Sequence, residues 1–259
     1  MKFTDMMSNE VEIDFPPKRI VSIVPSQTEL LYDLGLDSEV VGITKFCVHP
    51  VQWFKTKKRV GGTKQLYLDE IRSLKPDLII ANKEENEKVQ IELLTKEFPV
   101  WVSDIKTVSD ALKMIRQVGL VTNKKVTAEV LAARIEDAFT ALQKASFPKR
   151  VAYFIWYKPW MCTGRDTFIN SMIEAMGWQN VFKEKSRYPE VSLAELKIAQ
   201  PEIILLSSEP FPFKEKHAAE IAGVVSSADI RLVDGEMFSW YGSRMLKAIP
   251  YFQSFLTER

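Results

Sequence analysis

The sequence predicts an α/β protein of two lobes, each a mainly parallel sheet flanked by helices, joined by one long backbone helix with a ligand cleft between. Three observations predict it. A segment of the first half recurs in the second; strand-like apolar runs alternate with helical patterns in both halves; and a stretch free of proline and glycine lies between them. A chain of 259 residues has room for one large domain or two modest ones. The expected boundaries are 1–122 for the first lobe, 123–146 for the connector and 147–259 for the second lobe.

The first lobe opens with Lys18-Arg19 leading into the apolar run Ile20–Val24, which reads as a central strand. Ligands of open parallel sheets bind beyond the carboxyl ends of the strands, so the residues after each run are the candidate site. After Val24 come Pro25, Ser26, Gln27, Thr28 and Glu29, in which Ser26 and Glu29 have the spacing of a capping box. Free amides at such a helix start also suit an acceptor oxygen on a ligand. The next run, Val40–Ile43, is followed by Thr44, Lys45, Phe46, Cys47, Val48 and His49. Cys47 and His49 are weak candidates for one open contact to a metal within a ligand. A closed zinc site needs four donors, and only Cys162 and His217 remain to supply them.

The repeat comes next. Leu68–Ile80 and Leu193–Leu205 each read as a short helix, a proline stop (Pro76, Pro201), an acid (Asp77, Glu202) and a buried strand. Proline cannot continue a helix and biases its predecessor towards extended geometry, so helix gives way to strand there. The charged run Asn82–Lys88 reads as a solvated helix start, with Lys83, Glu84 and Asn86 near the cleft rim. Val100–Val102 gives a further short strand. From Asn123 to Lys144 the positions Val126, Val130, Leu131, Ile135, Ala138 and Leu142 fall on one helical stripe, a helix of about six turns. As a single rigid connector it would permit only small hinge motion.

The second lobe repeats the opening, with Lys149-Arg150 leading into Val151–Ile155. The loop that follows carries Trp156, Tyr157, Lys158, Pro159, Trp160 and, further on, Cys162 and Arg165. His217, beside Lys214, Glu215 and Lys216, reads as a solvated surface residue. After the strand Arg231–Val233, the segment Glu236–Arg244 again mixes aromatic and charged residues: Phe238, Trp240, Tyr241 and Arg244. One of these aromatics is expected to staple helices together. Two aromatic loops at corresponding edges are otherwise the walls of a site for a large, flat or amphipathic ligand.

Composition narrows the function. Thirty-five Lys and Arg against 34 Asp and Glu leave a net charge of +1, which gives no field to draw nucleic acid or an anionic membrane. No window approaches the roughly 18 to 20 apolar residues of a membrane span, and no apolar stretch of signal-peptide length stands at the N-terminus. Two cysteines, Cys47 and Cys162, make no disulfide framework. There is no Gly-x-Ser-x-Gly elbow, phosphate loop or dinucleotide fingerprint. Cys47 and His49 are the one nucleophile–base candidate, and residues two apart in an extended loop point opposite ways, so the chain is expected not to be an enzyme.

Taken in order, Arg19–Ser26 with Thr28-Glu29, Val41-Gly42-Ile43-Thr44, Val60-Gly61-Gly62-Thr63, Leu74–Ile80 and the mid-chain helix resemble the helical-backbone substrate-binding proteins of ABC importers, nearest the cobalamin-binding branch. The resemblance covers nearly all of the chain from Arg19 onwards. It implies a monomeric receptor without a cofactor of its own, which holds cobalamin, haem or an iron chelate (siderophore) between its lobes and hands it to a membrane permease. It implies a periplasmic or cell-surface location; the missing signal sequence motivates the alternative of a cytosolic corrinoid or metal-chelate carrier or sensor. The ligand-facing loops of the family correspond to Ser26, Gln27, Phe46, His49, Thr63, Lys64, Trp156, Tyr157, Trp160, Glu236, Phe238, Trp240, Tyr241 and Arg244. Arg165 joins them from its place in the aromatic loop. An outward acid on each lobe docks the permease in this family. Asp69 stands at that position in the first lobe; in the second Ala194 does, with Glu195 one step along, about 100° round the helix.

Overall fold

The computed structural model describes residues 1–144 and 147–257, so the last two residues of the expected connector, 145–146, and the terminal 258–259 lie outside the described residues. The chain divides into two compact units: residues 1–105, 109–136 and 241–244 form the first, and 106–108, 137–240 and 245–259 the second.

The first unit begins with an antiparallel hairpin, β1 (Lys2–Thr4) and β2 (Glu10–Glu12), which no sequence pattern announced. Then come β3 (Ile20–Ser22), α1 (Pro25–Asp33), β4 (Val40–Ile43), α2 (Val51–Thr56), β5 (Lys58–Arg59), α3 (Leu68–Leu74), β6 (Leu78–Asn82), α4 (Lys88–Thr95), β7 (Val100–Ser103), α5 (Val108–Val121) and α6 (Lys125–Ala141), whose residues from Asp137 onward are assigned to the second unit. The sheet runs β5-β4-β3-β6-β7, every pair parallel. Val21, Ile23, Val60, Ile71, Ile79, Ala81 and Leu94 fuse it to its helices as one apolar core. The order turns at β3, which lies between β4 and β6, so the carboxyl ends of β3 and β6 form a topological switch point.

The second unit contains β8 (Arg150–Trp156), β9 (Met161–Cys162), α7 (Phe168–Ala175), β10 (Gln179–Asn180), α8 (Leu193–Ala199), β11 (Ile203–Ser207), α9 (Glu215–Ala222), β12 (Asp229–Val233), α10 (Glu236–Ser239) and α11 (Met245–Thr257). Its parallel order is β10-β8-β11-β12, with β9 antiparallel beside β8. Ala152, Phe154, Leu196, Ile204, Leu206 and Ile221 centre its core.

The sequence repeat is a repeat of hydrogen bonds. Arg19 donates from Nε and Nη2 to the Leu74 carbonyl at the end of α3, at 2.8 and 2.6 Å. Arg150 does the same at the end of α8, to the carbonyls of Ala199 and Gln200. The acid after each proline closes the knot: Asp77 accepts from the amides of Lys18 and Arg19, and Glu202 from the Arg150 amide and the Lys149 ammonium. Lys75 and Gln200 both end their helices in the left-handed region, at φ 44° and 43°. Thus each basic pair that precedes an opening strand ties off the carbonyls that its unit's repeated helix leaves unpaired.

The connector departs from expectation. The helix starts at Lys125, because Asn123 turns left-handed (φ 60°) after α5, and it ends at Ala141. Its buried face is Ala128, Leu131, Ala132 and Ile135, whereas Val126 and Val130 are 79% and 56% exposed. The expected stripe had counted these two valines inward by residue type alone.

Candidate ligand-binding site

The switch point of the first unit is lined by a buried polar network. α1 begins directly at Pro25, its N-cap is Val24, and no side chain caps it. The expected Ser26–Glu29 capping box is therefore absent: Pro25 occupies the first helical position and moves Ser26 inside the helix. Glu29 instead receives Arg244, from Nε at 2.8 Å and Nη2 at 2.9 Å, both side chains buried. Gln27 is fully buried and donates to Ser103 Oγ; its Oε1 has no partner among the described residues.

Asn82 donates to the backbone and hydroxyl oxygens of Ser103, at 3.2 and 3.0 Å, and accepts from the amides of Glu84 and Glu85. Asn86 accepts from the Asn82 amide and donates to the carbonyls of Ile23 and Thr63. The run Asn82–Lys88 is therefore not a solvated helix start: Asn82 and Asn86 are buried and pin three loops, while α4 begins only at Lys88. Lys83 pairs with Asp104 at 2.8 Å.

Cys47 is not placed for metal or catalysis. Its thiol sits fully buried against the hydroxyls of Thr28 and Thr44, each at 3.1 Å, and burial pushes its pKa up, away from the nucleophilic thiolate. Among the described residues no group of His, Cys, Asp and Glu is gathered to hold a metal ion. His49 is half-buried on the same loop, and Phe46 projects from it, 51% exposed. Thr63 is half-buried; Lys64, on the surface, donates to the Glu84 carbonyl at 2.6 Å.

In the second unit the loop after β8 gathers an aromatic cluster. Tyr157 and Trp160 meet edge to face at 4.8 Å, Trp160 stacks on Phe213 at 5.9 Å, and Phe211 touches Trp156, Tyr157 and Phe213. His217 is in this cluster, 4.7 Å from Tyr157, and its Nδ1 accepts from the Lys214 amide at the start of α9. It is buried, contrary to the surface position expected from its charged neighbours, and burial lowers its pKa. Trp156, 40% exposed, is the cluster's outer face. Arg165 lies apart from it on the surface, bonded to the Glu184 carbonyl and 3.4 Å from Asp166.

The second aromatic segment does less for a surface. Phe238 has no exposed area; it packs on Tyr153 at 5.0 Å and Phe252 at 4.8 Å, and is the staple foreseen for one aromatic, not a wall. Glu236, half-buried, starts α10, and Tyr241 is buried. Trp240 is buried too and donates from Nε1 to Glu209 at 2.9 Å; the same carboxyl oxygen accepts from Ser239 at 2.6 Å. Burial, then the nearby Glu236 and Asp234, push the Glu209 pKa up. A side chain at Gly235 would collide with this arrangement, since a Cβ there would lie 2.3 Å from Ser207 Oγ and 2.6 Å from Glu209 Cγ. Glu209 was invisible in the sequence: one acid before a proline carries no pattern, and its partners lie about 30 positions on.

The two outward acids also differ. The Asp69 side chain is 97% exposed on α3 and pairs with Arg72 at 2.8 Å. Glu195 is spent within α8: with Ser192 it forms a capping box, and it pairs with Lys185 at 2.8 Å, the contact that does most to lower its pKa to about 2.

Among the described residues no helix is long and apolar enough to cross a membrane. Residues 20–228 match the periplasmic binding protein family. A vitamin B12-binding protein of Pectobacterium atrosepticum is 25% identical over 252 residues, covering 93% of this chain and 89% of that protein. Among solved structures, a petrobactin-binding protein of Bacillus subtilis superposes with a TM-score of 0.86 at 16% identity, over 100% of this chain and 99% of that one. A haem-binding protein of Vibrio cholerae superposes with a TM-score of 0.80 at 20% identity, over 93% and 99%. The fold is theirs, and the match over most of the sequence makes the chain a member of the periplasmic binding protein family.

Proposed function

We propose that this protein captures cobalamin or a related metal chelate, haem or a ferric siderophore, and delivers it to an ABC permease outside the cytoplasm. The observation that carries the reading is Trp156: a large aromatic left substantially in water at the carboxyl end of β8, backed by Tyr157, Trp160 and Phe211. Carboxyl ends are where open parallel sheets take ligands, and a rigid aromatic face suits a bulky conjugated one. The names of the relatives, vitamin B12-, haem- and petrobactin-binding, supply the ligand class, and none of the three names a cytosolic carrier. Asp69 is the outward carboxylate available for a permease; Glu195, held in its cap, is not an equivalent.

Tryptophan fluorescence tests it. Trp53, Trp101, Trp178 and Trp240 are buried, so a bound chromophore would reach Trp156 first. Titration with cyanocobalamin, haemin and a ferric siderophore is expected to give saturable quenching with at least one, at about 1 μM or tighter, and Trp156→Ala to weaken it about tenfold. If none of the panel saturates, the reading fails.

A further inference from the structure

We propose that His217 is a positioning residue for the aromatic face of the second unit: as a neutral imidazole it holds that face in place, and on taking a proton it lets the face go. This rests on the ligand-capturing reading above and adds its regulation, a hold on ligand that weakens in acid.

α9 buttresses the face at two points. Tyr157 donates its hydroxyl to Glu220 at 2.9 Å. His217, 3% exposed, packs against three rings, Tyr157 at 4.7 Å, Phe211 at 5.2 Å and Phe213 at 5.5 Å. Those rings back the others: Phe211 meets Trp156 at 5.7 Å, and Phe213 stacks on Trp160. Trp156 therefore stands on Phe211, and Phe211 on His217.

A backbone bond fixes His217 itself. Its Nδ1 accepts from the Lys214 amide at 2.9 Å, while its own amide donates to the Lys214 carbonyl at 2.8 Å. This is the reach-back half of a capping box, in which the third helical residue is ordinarily Glu or Gln. Lys214 follows Phe213 directly, so the bond also fastens the loop that carries Phe211 and Phe213 to the start of α9. A backbone N–H can only donate, and the ring nitrogen facing it must keep its lone pair. Glutamine keeps its acceptor at every pH. Histidine loses it on protonation, and Nδ1–H then points at N–H, donor against donor. Whatever a cation gains from the surrounding rings, it does not relieve that clash with the backbone.

The charged groups about the imidazole are Lys214, Lys216 and Glu220 on α9, with Lys158 reaching over the Tyr157 ring at 5.0 Å. Glu209, on the loop of Phe211, is turned instead to Ser239 and Trp240. Burial first and Lys216 next lower the His217 pKa, and Glu220 opposes them. The ring is therefore neutral at pH 7 and takes its proton below the ordinary histidine value, near 6.5.

The chain has two histidines, so proton NMR follows both through a pH titration, with His49→Gln to tell them apart. Near-UV circular dichroism reads the packing of the rings in ligand-free protein. Expected are a His217 titration below 6.5 and a near-UV change with the same midpoint, the far-UV spectrum staying as it was. His217→Gln, which keeps an acceptor for the Lys214 amide and does not titrate, is expected to lack the change. The wild-type titrations decide the matter even where the variant does not fold. With whichever of cyanocobalamin, haemin and a ferric siderophore binds, wild-type affinity relative to His217→Gln is expected to fall about tenfold for each pH unit below the His217 pKa. That ratio removes the probe's own titration. A near-UV spectrum unchanged while His217 takes up its proton, the same change in His217→Gln, or an affinity ratio independent of pH overturns the inference and leaves the ligand-capturing reading standing. Binding of no probe overturns both.

Discussion

Arg244 and Glu29 are 215 positions apart and meet by a two-pronged ion pair inside the first unit. Arg244 stands in an aromatic loop, and by residue type it reads as a ligand contact; its partner is invisible at that separation. Both charges are buried, so their worth shows only when one is removed. Arg244→Met leaves the buried Glu29 carboxylate without its arginine and is expected to cost about 3–5 kcal/mol at pH 7, measured by urea denaturation. Glu29→Leu combined with Arg244→Met is expected to recover most of that loss, because the pair repays its own desolvation only in part. A double variant no more stable than the single one would show that the pair, and not the stranded charge, supplies the stability. Trp156 differs in being legible from the sequence: a turn-rich loop with three aromatics has more ring than a core needs. Phe238 had the same appearance and is core, because which aromatics turn inward is decided by Tyr153 and Phe252, far away in the chain.

At the scale of elements, the helix–proline–acid–strand pattern was readable twice because it is local. The proline stops the helix at a fixed place, and the knot of Arg19 with Asp77 and Arg150 with Glu202 is written in the same order in both halves. The hairpin β1–β2, the short β9 and the break at Asn123 were not readable: the strands have two or three residues, too few to show a period, and Asn123 is one left-handed residue in a polar run. Nor was the Asn82–Asn86 hub, since a polar side chain buried by distant loops looks like a solvated one. The repeated knot carries a prediction of its own. Lys75 and Gln200 hold φ near 44° and 43° on exposed surfaces, where a Cβ is strained and glycine is not. Lys75→Gly and Gln200→Gly are each expected to raise stability by about 1 kcal/mol in urea denaturation, and to add when combined, being in separate units. Loss of stability in either would mean that its side chain does more than fill an αL cap.

For the whole molecule a net charge of +1 says little, because what matters is where the charges stand. Exposed Lys45, Lys64 and Lys83 follow strands of the first unit's sheet, while at the carboxyl ends of β11 and β12 the second unit gathers Glu209, Asp234 and Glu236. Of these Glu209 is buried, and its folded pKa is raised by burial first and by the other two acids after. Below the ordinary glutamate value, near 4.5, the group is protonated whether folded or not and its contribution is complete. As pH rises towards and through the raised folded value, the unfolded chain ionises Glu209 more readily than the folded one, and stability is lost. Glu209→Gln keeps an oxygen for Ser239 and Trp240 and has no proton to lose. Its stability relative to the wild type is therefore expected to climb as pH rises above the ordinary glutamate value, near 4.5, and to level off beyond the raised folded pKa. The exposed Glu195, whose pKa is lowered to about 2, acts with the opposite sign: its contribution is present above pH 4.5 and fades as pH falls towards 2, so it leaves the neutral range untouched. A difference between Glu209→Gln and wild type that stays flat across that range would mean that Glu209 is ionised in place, its charge answered by Ser239 and the Trp240 indole instead of suppressed by burial.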